Sequence, residues 1–317
     1  MFDVTAMGEL LIDFTPCGTS AGGRALFEQN PGGAPANVLV AVSRLGLKGA
    51  FIGKVGKDMH GEMLKETLEA DDIDVSGLVV DPNYFTTLAF VQLKDGERDF
   101  AFARKPGADT QITVDEVELD VVHNTYIFHF GSLSLTDEPS RSATFYAIEE
   151  ARDAGAIISY DPNYRAPLWK DERTAKIFMR DVIPYVDIMK ISDEETRLLT
   201  GVDDPMEAAE KLLDQGVKCV VVTLGAGGAT MCTKNFTVQA DTVKREVVDT
   251  TGAGDSFWGG MLAQFAKYRV KPDSITEAQA KQFINFANTV AGLTVEKRGA
   301  IPAIPDLEAV EKELKQD

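Results

Sequence analysis

Short β-prone apolar runs alternate with helical patterns along nearly the whole chain, and that alternation limits the fold more than any motif does. Strands are expected at Phe2–Leu11, Ala50–Gly53, Ala156–Tyr160, Val186–Ile191 and Lys218–Leu224. Between and after them, helical spacing covers Ala34–Leu45, Glu62–Ala70, Glu138–Ala154, Pro205–Gln215, Asp255–Lys267 and Glu277–Glu296. Strands that alternate with helices pair in parallel and need helices on both faces. The β-branched run Lys218–Leu224 suits a sheet covered on both sides. Thr86–Leu93 and Arg98–Ala103, joined through Asp95-Gly96, break this rhythm as an antiparallel hairpin. The Gly-rich stretch Thr15–Asn30 lacks helical spacing as well. The two fit a small β-rich lid, and the hairpin alone would equally fit a plain surface feature.

The 317 residues suffice for one large α/β domain or two smaller ones. A formal charge of −18 repels nucleic acid and anionic membrane, so neither is an expected partner. It also repels nucleotides, so a phosphate site must be locally positive. The 3 cysteines and 3 histidines show no metal-ligand spacing, and an odd cysteine count fits a reducing compartment. The start lacks the basic and apolar pattern of a signal peptide, and no apolar run nears the roughly 20 residues of a membrane span. A cytoplasmic protein is expected.

Polar residues collect after the strands, where open α/β sheets bind ligands. Asp13 follows the first strand, Asp161-Pro162-Asn163-Tyr164-Arg165 another, Ser192-Asp193-Glu194-Glu195 a third and Gly225-Ala226-Gly227-Gly228 a fourth. The most specific stretch is Asp249-Thr250-Thr251-Gly252-Ala253-Gly254-Asp255, which opens onto an apolar helix. Small residues at a helix start leave N–H groups open to an anion, and the helix dipole favours it. Asp255 beside such a site would repel the anion, so the acid needs a task, and removing a proton from a nucleophile is one. In Gly32-Gly33-Ala34-Pro35-Ala36-Asn37 the paired glycines admit close approach to the backbone, and the Asn37 amide suits hydroxyl groups. That segment alone also fits a loop whose Asn pairs with its own backbone. GxxxxGK[ST], GxGxxG after a strand, and the HRD and DFG elements of protein kinases are missing.

These two glycine segments together resemble the two signatures of the PfkB, or ribokinase-like, carbohydrate kinases. Gly8-Glu9-Leu10-Leu11-Ile12-Asp13, Thr223-Leu224-Gly225 and Glu296-Lys297-Arg298-Gly299-Ala300 extend the resemblance over nearly the whole chain. Asp161–Arg165 with Pro167-Leu168-Trp169, Phe51–Asp58 and Pro106-Gly107-Ala108-Asp109 look most like fructokinases, and the 2-keto-3-deoxygluconate kinases share part of the pattern. The resemblance implies a three-layer αβα fold with a mostly parallel central sheet, in one domain over 1–317, with a β lid from about 13–33 and 84–113. It implies transfer of phosphate from ATP to a hydroxyl of D-fructose, with Mg2+ and a potassium-like cation.

Residue by residue, the resemblance makes Asp255 the general base and Gly252, Ala253 and Gly254 the anion hole. The sugar would be surrounded by Asp13, Gly32, Gly33, Asn37, Phe102, Arg104, Asn163 and Arg165. The nucleotide would meet Lys190, Ser192, Thr223, Gly225, Gly228, Gly252, Gly254 and Asn288. Glu195 would act on magnesium through water, and Asp249, Thr251 and Gly299 would hold the monovalent cation. Ser192 stands where the family pattern has Asn, which leaves the details of the magnesium network open. An exposed lid sheet offers an edge for pairing, so a homodimer through the lid is expected.

Overall fold

The computed structural model describes residues 1–94 and 97–315, the side chains of 92–100 excepted. Among the described residues thirteen strands form, in chain order: β1 (Phe2–Met7), β2 (Leu11–Thr19), β3 (Ala25–Gly32), β4 (Gly49–Gly56), β5 (Asp74–Asp81), β6 (Leu88–Lys94), β7 (Glu97–Ala103), β8 (Thr125–Gly131), β9 (Ile157–Asp161), β10 (Ile188–Ser192), β11 (Cys219–Thr223), β12 (Ala229–Thr233) and β13 (Thr237–Ala240). Nine of them make one sheet in the order β13-β12-β11-β10-β9-β8-β1-β4-β5. Its pairs are parallel from β11 to β5, and β12 and β13 add antiparallel at one edge.

The period-two alternation of a strand sends successive side chains to opposite layers. Val4, Ala6 and Val221 pack among helices Ala34–Arg44, Ala253–Tyr268 and Glu277–Thr294. Met7, Val220 and Val222 pack on the other face among helices Ser140–Asp153, Glu172–Asp181 and Pro205–Asp214. This is the expected three-layer αβα arrangement. Among the described residues, no helix is long and apolar enough to cross a membrane.

The remaining strands form the lid sheet, in the order β3-β2-β6-β7. Here β2 pairs antiparallel with β3 and parallel with β6, and β6 pairs antiparallel with β7. The expected hairpin is thus present as β6 and β7, and its Asp95-Gly96 turn lies outside the described residues. One expected boundary is corrected. Phe2–Leu11 is not one strand: β1 ends at Met7, and β2 begins at Leu11 in the other sheet. The chain changes sheet through Gly8, where a Cβ would stand 2.7 Å from the Pro35 ring.

Candidate active site

A cavity of 350 Å³ opens above the carboxyl ends of the parallel strands, walled on one side by the lid. Glu9, Asn163, Arg165 and Lys190 reach it from the strands of the large sheet or the loops after them, and Asp13, Val91 and Phe102 from the lid. Gly33, Ala34 and Asn37 enter from one helix start, and Thr251, Gly252, Gly254 and Asp255 from another. Residues far apart in sequence converge because parallel strands deliver all their following loops to one edge.

The floor is Asp255, buried at 8% exposure. Asn37 donates its Nδ2 to Asp255 Oδ2 at 2.8 Å, and Asn163 donates to Oδ1 at 2.9 Å. Each carboxylate oxygen therefore has one fixed donor and a lone pair left over. Asn163 itself adopts a left-handed backbone, φ 46°, a region that Asn tolerates better than most residues. The helices bearing Asn37 and Asp255 touch almost backbone to backbone. A Cβ on Gly259 would fall 2.5 Å from Ala41 Cβ, and one on Gly260 3.0 Å from Ala287 Cα.

The helix Ala253–Tyr268 starts at Gly252, which takes φ 76°. No side chain caps this start. Its first turn therefore presents N–H groups and the positive dipole end toward the cavity. Lys190 adds a cation, its Nζ lying 3.5 Å from where a Cβ of Gly254 would be. Lys190 also donates to Asp161 Oδ2 at 2.7 Å. Burial lowers the Lys190 pKa, but Asp161, Glu195 and Asp255 outweigh it and hold the ammonium above its ordinary range.

Two further carboxylates line the cavity. Burial pushes Asp13 up to about 7, with Arg165 pulling it down and Asp255 and Asp249 pushing it up. Burial pushes Glu9 up to about 7 as well, against hydrogen bonds from backbone N–H groups. One of these bonds is from Ala34 N–H to Glu9 Oε1 at 2.9 Å. Gly33 must be glycine here: a Cβ would sit 2.3 Å from the Glu9 carbonyl oxygen, at φ 116°.

Several expected site residues lie outside this cavity's lining. Arg104 is buried behind the wall: its Nε meets Asp109 Oδ2 at 2.7 Å, and its other nitrogens donate to Thr136 Oγ1 and the Leu133 carbonyl. Its guanidinium is thus held by three protein acceptors. Asn288 donates to the carbonyls of Ala240 and Asp241 and lines a separate cleft of 440 Å³ with Arg245 and Thr289. Glu195 lies outside the lining as well: its oxygens accept from Tyr164 N–H at 2.7 Å and Ser192 N–H at 2.9 Å, bracing two of the loops. Thr223 and Gly225 follow at the end of β11 beside Ser192. At Gly228 a Cβ would collide with the Ala240 carbonyl at 2.2 Å.

Asp249 ties two loops together. Its Oδ1 accepts from Thr251 N–H and Oγ1, and its Oδ2 from Gly299 N–H at 3.1 Å. The three residues expected around a monovalent cation are thereby brought to one place. Among the described residues, no group of three or more His, Cys, Asp or Glu could hold a metal ion. Mg2+ binds through one or two carboxylates, water and substrate phosphates more readily than in an all-protein cage. Glu9 and Asp161 were not singled out as site residues from the sequence, although each is an acid embedded in or ending an apolar run, which is the available signal.

A model of the pfkB family carbohydrate kinases matches residues 1–307. The chain belongs to that family. It is 44% identical over 316 residues to probable fructokinase-2 of Arabidopsis thaliana, covering 97% of this chain and 94% of that protein. The fructokinase of Xylella fastidiosa with bound ATP superposes on this kinase with a TM-score of 0.93 at 32% identity, covering 100% of this chain and 99% of that one. A double mutant of Vibrio cholerae O395 fructokinase, bound to fructose, ADP and potassium ion, gives a TM-score of 0.87 at 32% identity, covering 98% and 97%.

Proposed function

We propose that this kinase is a fructokinase, transferring the terminal phosphoryl group of ATP to a hydroxyl of D-fructose. The observation that carries the reading is Asp255, gripped by two amides at the floor of the cavity and in the first turn of a helix whose start no side chain caps. A hydroxyl set on Asp255 loses its proton to the carboxylate as the oxygen attacks. Asn37 and Asn163 keep the two carboxylate oxygens from rotating away. Gly252, Ala253 and Gly254 form the anion hole: the N–H groups of Gly252 and Gly254 receive the charge that builds on the transferred group, and the Ala253 N–H donates to the Thr250 carbonyl at 3.2 Å and holds the turn. Being fixed beforehand, they need no reorganisation. Lys190 adds positive charge on the same side.

Neutral fructose suits the lining better than an acidic sugar. Glu9, Asp13 and Asp255 line the cavity against two cations, Arg165 and Lys190, and Lys190 is already paired with Asp161. Asp13, Gly32, Gly33, Asn37, Phe102, Asn163 and Arg165 meet the sugar. Ser192, Thr223, Gly225, Gly228 and Asn288 meet the nucleotide. Glu195 with water holds Mg2+, which neutralises phosphate charge when bound, and Asp249, Thr251 and Gly299 hold K+. The protein works in the cytoplasm, as a homodimer that pairs Leu26 and Phe27 of the lid.

Purified protein should form ADP from ATP when fructose is added, and faster with K+ present. A panel with ribose, 2-keto-3-deoxygluconate and a nucleoside should give lower kcat/KM for each. A preference for the acidic sugar would replace fructose as the substrate.

A further inference from the structure

The residues directly before and directly after the β6–β7 hairpin are tied into the core, and one carboxylate joins both ends. Thr87, just before β6, donates its hydroxyl to Asp109 Oδ1 at 2.5 Å. Arg104, just after β7, gives its Nε to Asp109 Oδ2 at 2.7 Å. The Arg104–Asp109 side chains are 3% and 1% exposed. Arg104 continues to the Leu133 carbonyl at 2.8 Å and Thr136 Oγ1 at 2.9 Å, beyond the end of β8. The neighbouring Thr86 is held separately: its N–H and hydroxyl donate to Asp58, and Gly56 N–H donates back to it. Phe102, two residues before Arg104, and Leu133, whose carbonyl it holds, both line the cavity.

We propose that Asp109 is a positioning residue for phosphoryl transfer, the buried anchor that sets where the β6–β7 hairpin stands over the substrate. The proposal rests on reading the cavity as the sugar site. Asp109 touches no cavity atom. It acts through Arg104 and Thr87, which fix Phe102 and the strand Leu88–Val91 against the opening. A buried carboxylate that joins two chain ends to a third element resists loss of any one bond, because a freed partner would be left charged and buried. Gly107 belongs to the same device. A Cβ there would lie 1.9 Å from Thr87 Oγ1 and 2.8 Å from Asp109 Oδ1, while its φ of −91° suits any residue. Gly107→Ala is therefore a wedge that alters no charge and strains no backbone.

The test compares wild type, Gly107→Ala and the paired variant Arg104→Met/Asp109→Leu, which removes both buried charges together and so preserves the fold. Both variants should melt close to wild type, raise KM for fructose about tenfold and leave KM for ATP within about twofold. The share of ADP formed without sugar should rise, because a displaced wall admits water. Amide hydrogen exchange at Leu88–Val91 and Ala101–Ala103 should quicken in both variants, and this readout needs no activity. A purely structural role would lower the melting temperature and change both KM values in proportion. Wild-type KM for fructose and unchanged exchange in either folded variant would overturn the anchor. Loss of fructose-dependent turnover in wild type itself would instead overturn the sugar reading, with hydrogen exchange still deciding the anchor. Should the paired variant not fold, Gly107→Ala decides alone.

Discussion

The nine-stranded sheet is covered by helices on both faces, whereas the lid sheet leaves Leu26 and Phe27 at 45% and 41% exposure. Inside the lid, Phe14 stacks on Phe90 at 5.1 Å and Phe27 meets Phe90 edge-on at 6.3 Å. The large sheet is held by continuous apolar layers, and the groups proposed for the reaction stand on its strand ends and on helices packed through Gly259 and Gly260. The lid reaches the core through a smaller set of contacts: Ile12, Phe14 and Leu88 pack against one of those layers, and polar bonds form at Thr86, Thr87, Arg104 and Arg298. Rigid packing suits groups that must not move by a fraction of an ångström. A sheet fastened at a few points suits an element that admits a substrate and then excludes water.

If chemistry belongs to the packed core, core substitutions should lower kcat and lid substitutions should act on KM or assembly. Asp255→Asn should show the largest effect, cutting kcat by about 10²–10⁴-fold in steady-state ADP assays with a melting temperature near wild type. Retained turnover would remove Asp255 as the base. Gly252→Ala comes next, since φ 76° and Ala300 at 3.0 Å leave no room for a methyl group. A drop in kcat of about 10²–10³-fold is expected as the N–H groups shift.

The third prediction concerns acidity at the boundary between the two regions. Glu9 and Asp13 are raised to about 7 in the folded protein, above ordinary carboxylates. Folding therefore takes up protons, and the stability gained from protonation below the unfolded values is lost as pH rises through 7. The melting temperature of the sugar-free protein should fall between pH 5 and 8 on this account, and less steeply in Asp13→Asn. In the proposed reading, ionised Asp13 is the form that accepts from a sugar hydroxyl. KM for fructose should thus fall about tenfold from pH 6 to pH 8, with the slope reduced in Asp13→Asn. A flat profile in wild type would separate Asp13 from the sugar. The smallest kinetic effect is expected from Leu26→Asp/Phe27→Asp. Sedimentation should shift from dimer to monomer while kcat stays within about twofold, because neither residue lines the cavity. A wild-type monomer would dismiss the lid interface.

The legible parts of the sequence were those where neighbouring residues act together. Gly252–Asp255 form one turn, so a contiguous string reveals both the anion-facing backbone and the acid. The parallel core was readable because β11, Cys219–Thr223, carries its burial in its own composition. The first lid hairpin was not readable as strands: Pro16 and Gly18 sit at a register shift between β2 and β3, and they disrupt the alternation that marks a strand. The partners of Arg104 were hidden for a related reason. Asp109, Leu133 and Thr136 are brought to it only by folding, and an arginine carries no sign in one dimension of which oxygen it will meet.

Asn163 carries two requirements on a single side chain. Replacement by glycine would preserve the bend of the loop and delete the grip on Asp255, while glutamine would keep an amide and force a longer side chain through an unfavourable bend. Drift at this position has almost nowhere to go, because loop shape and proton transfer select the same amino acid for unrelated reasons.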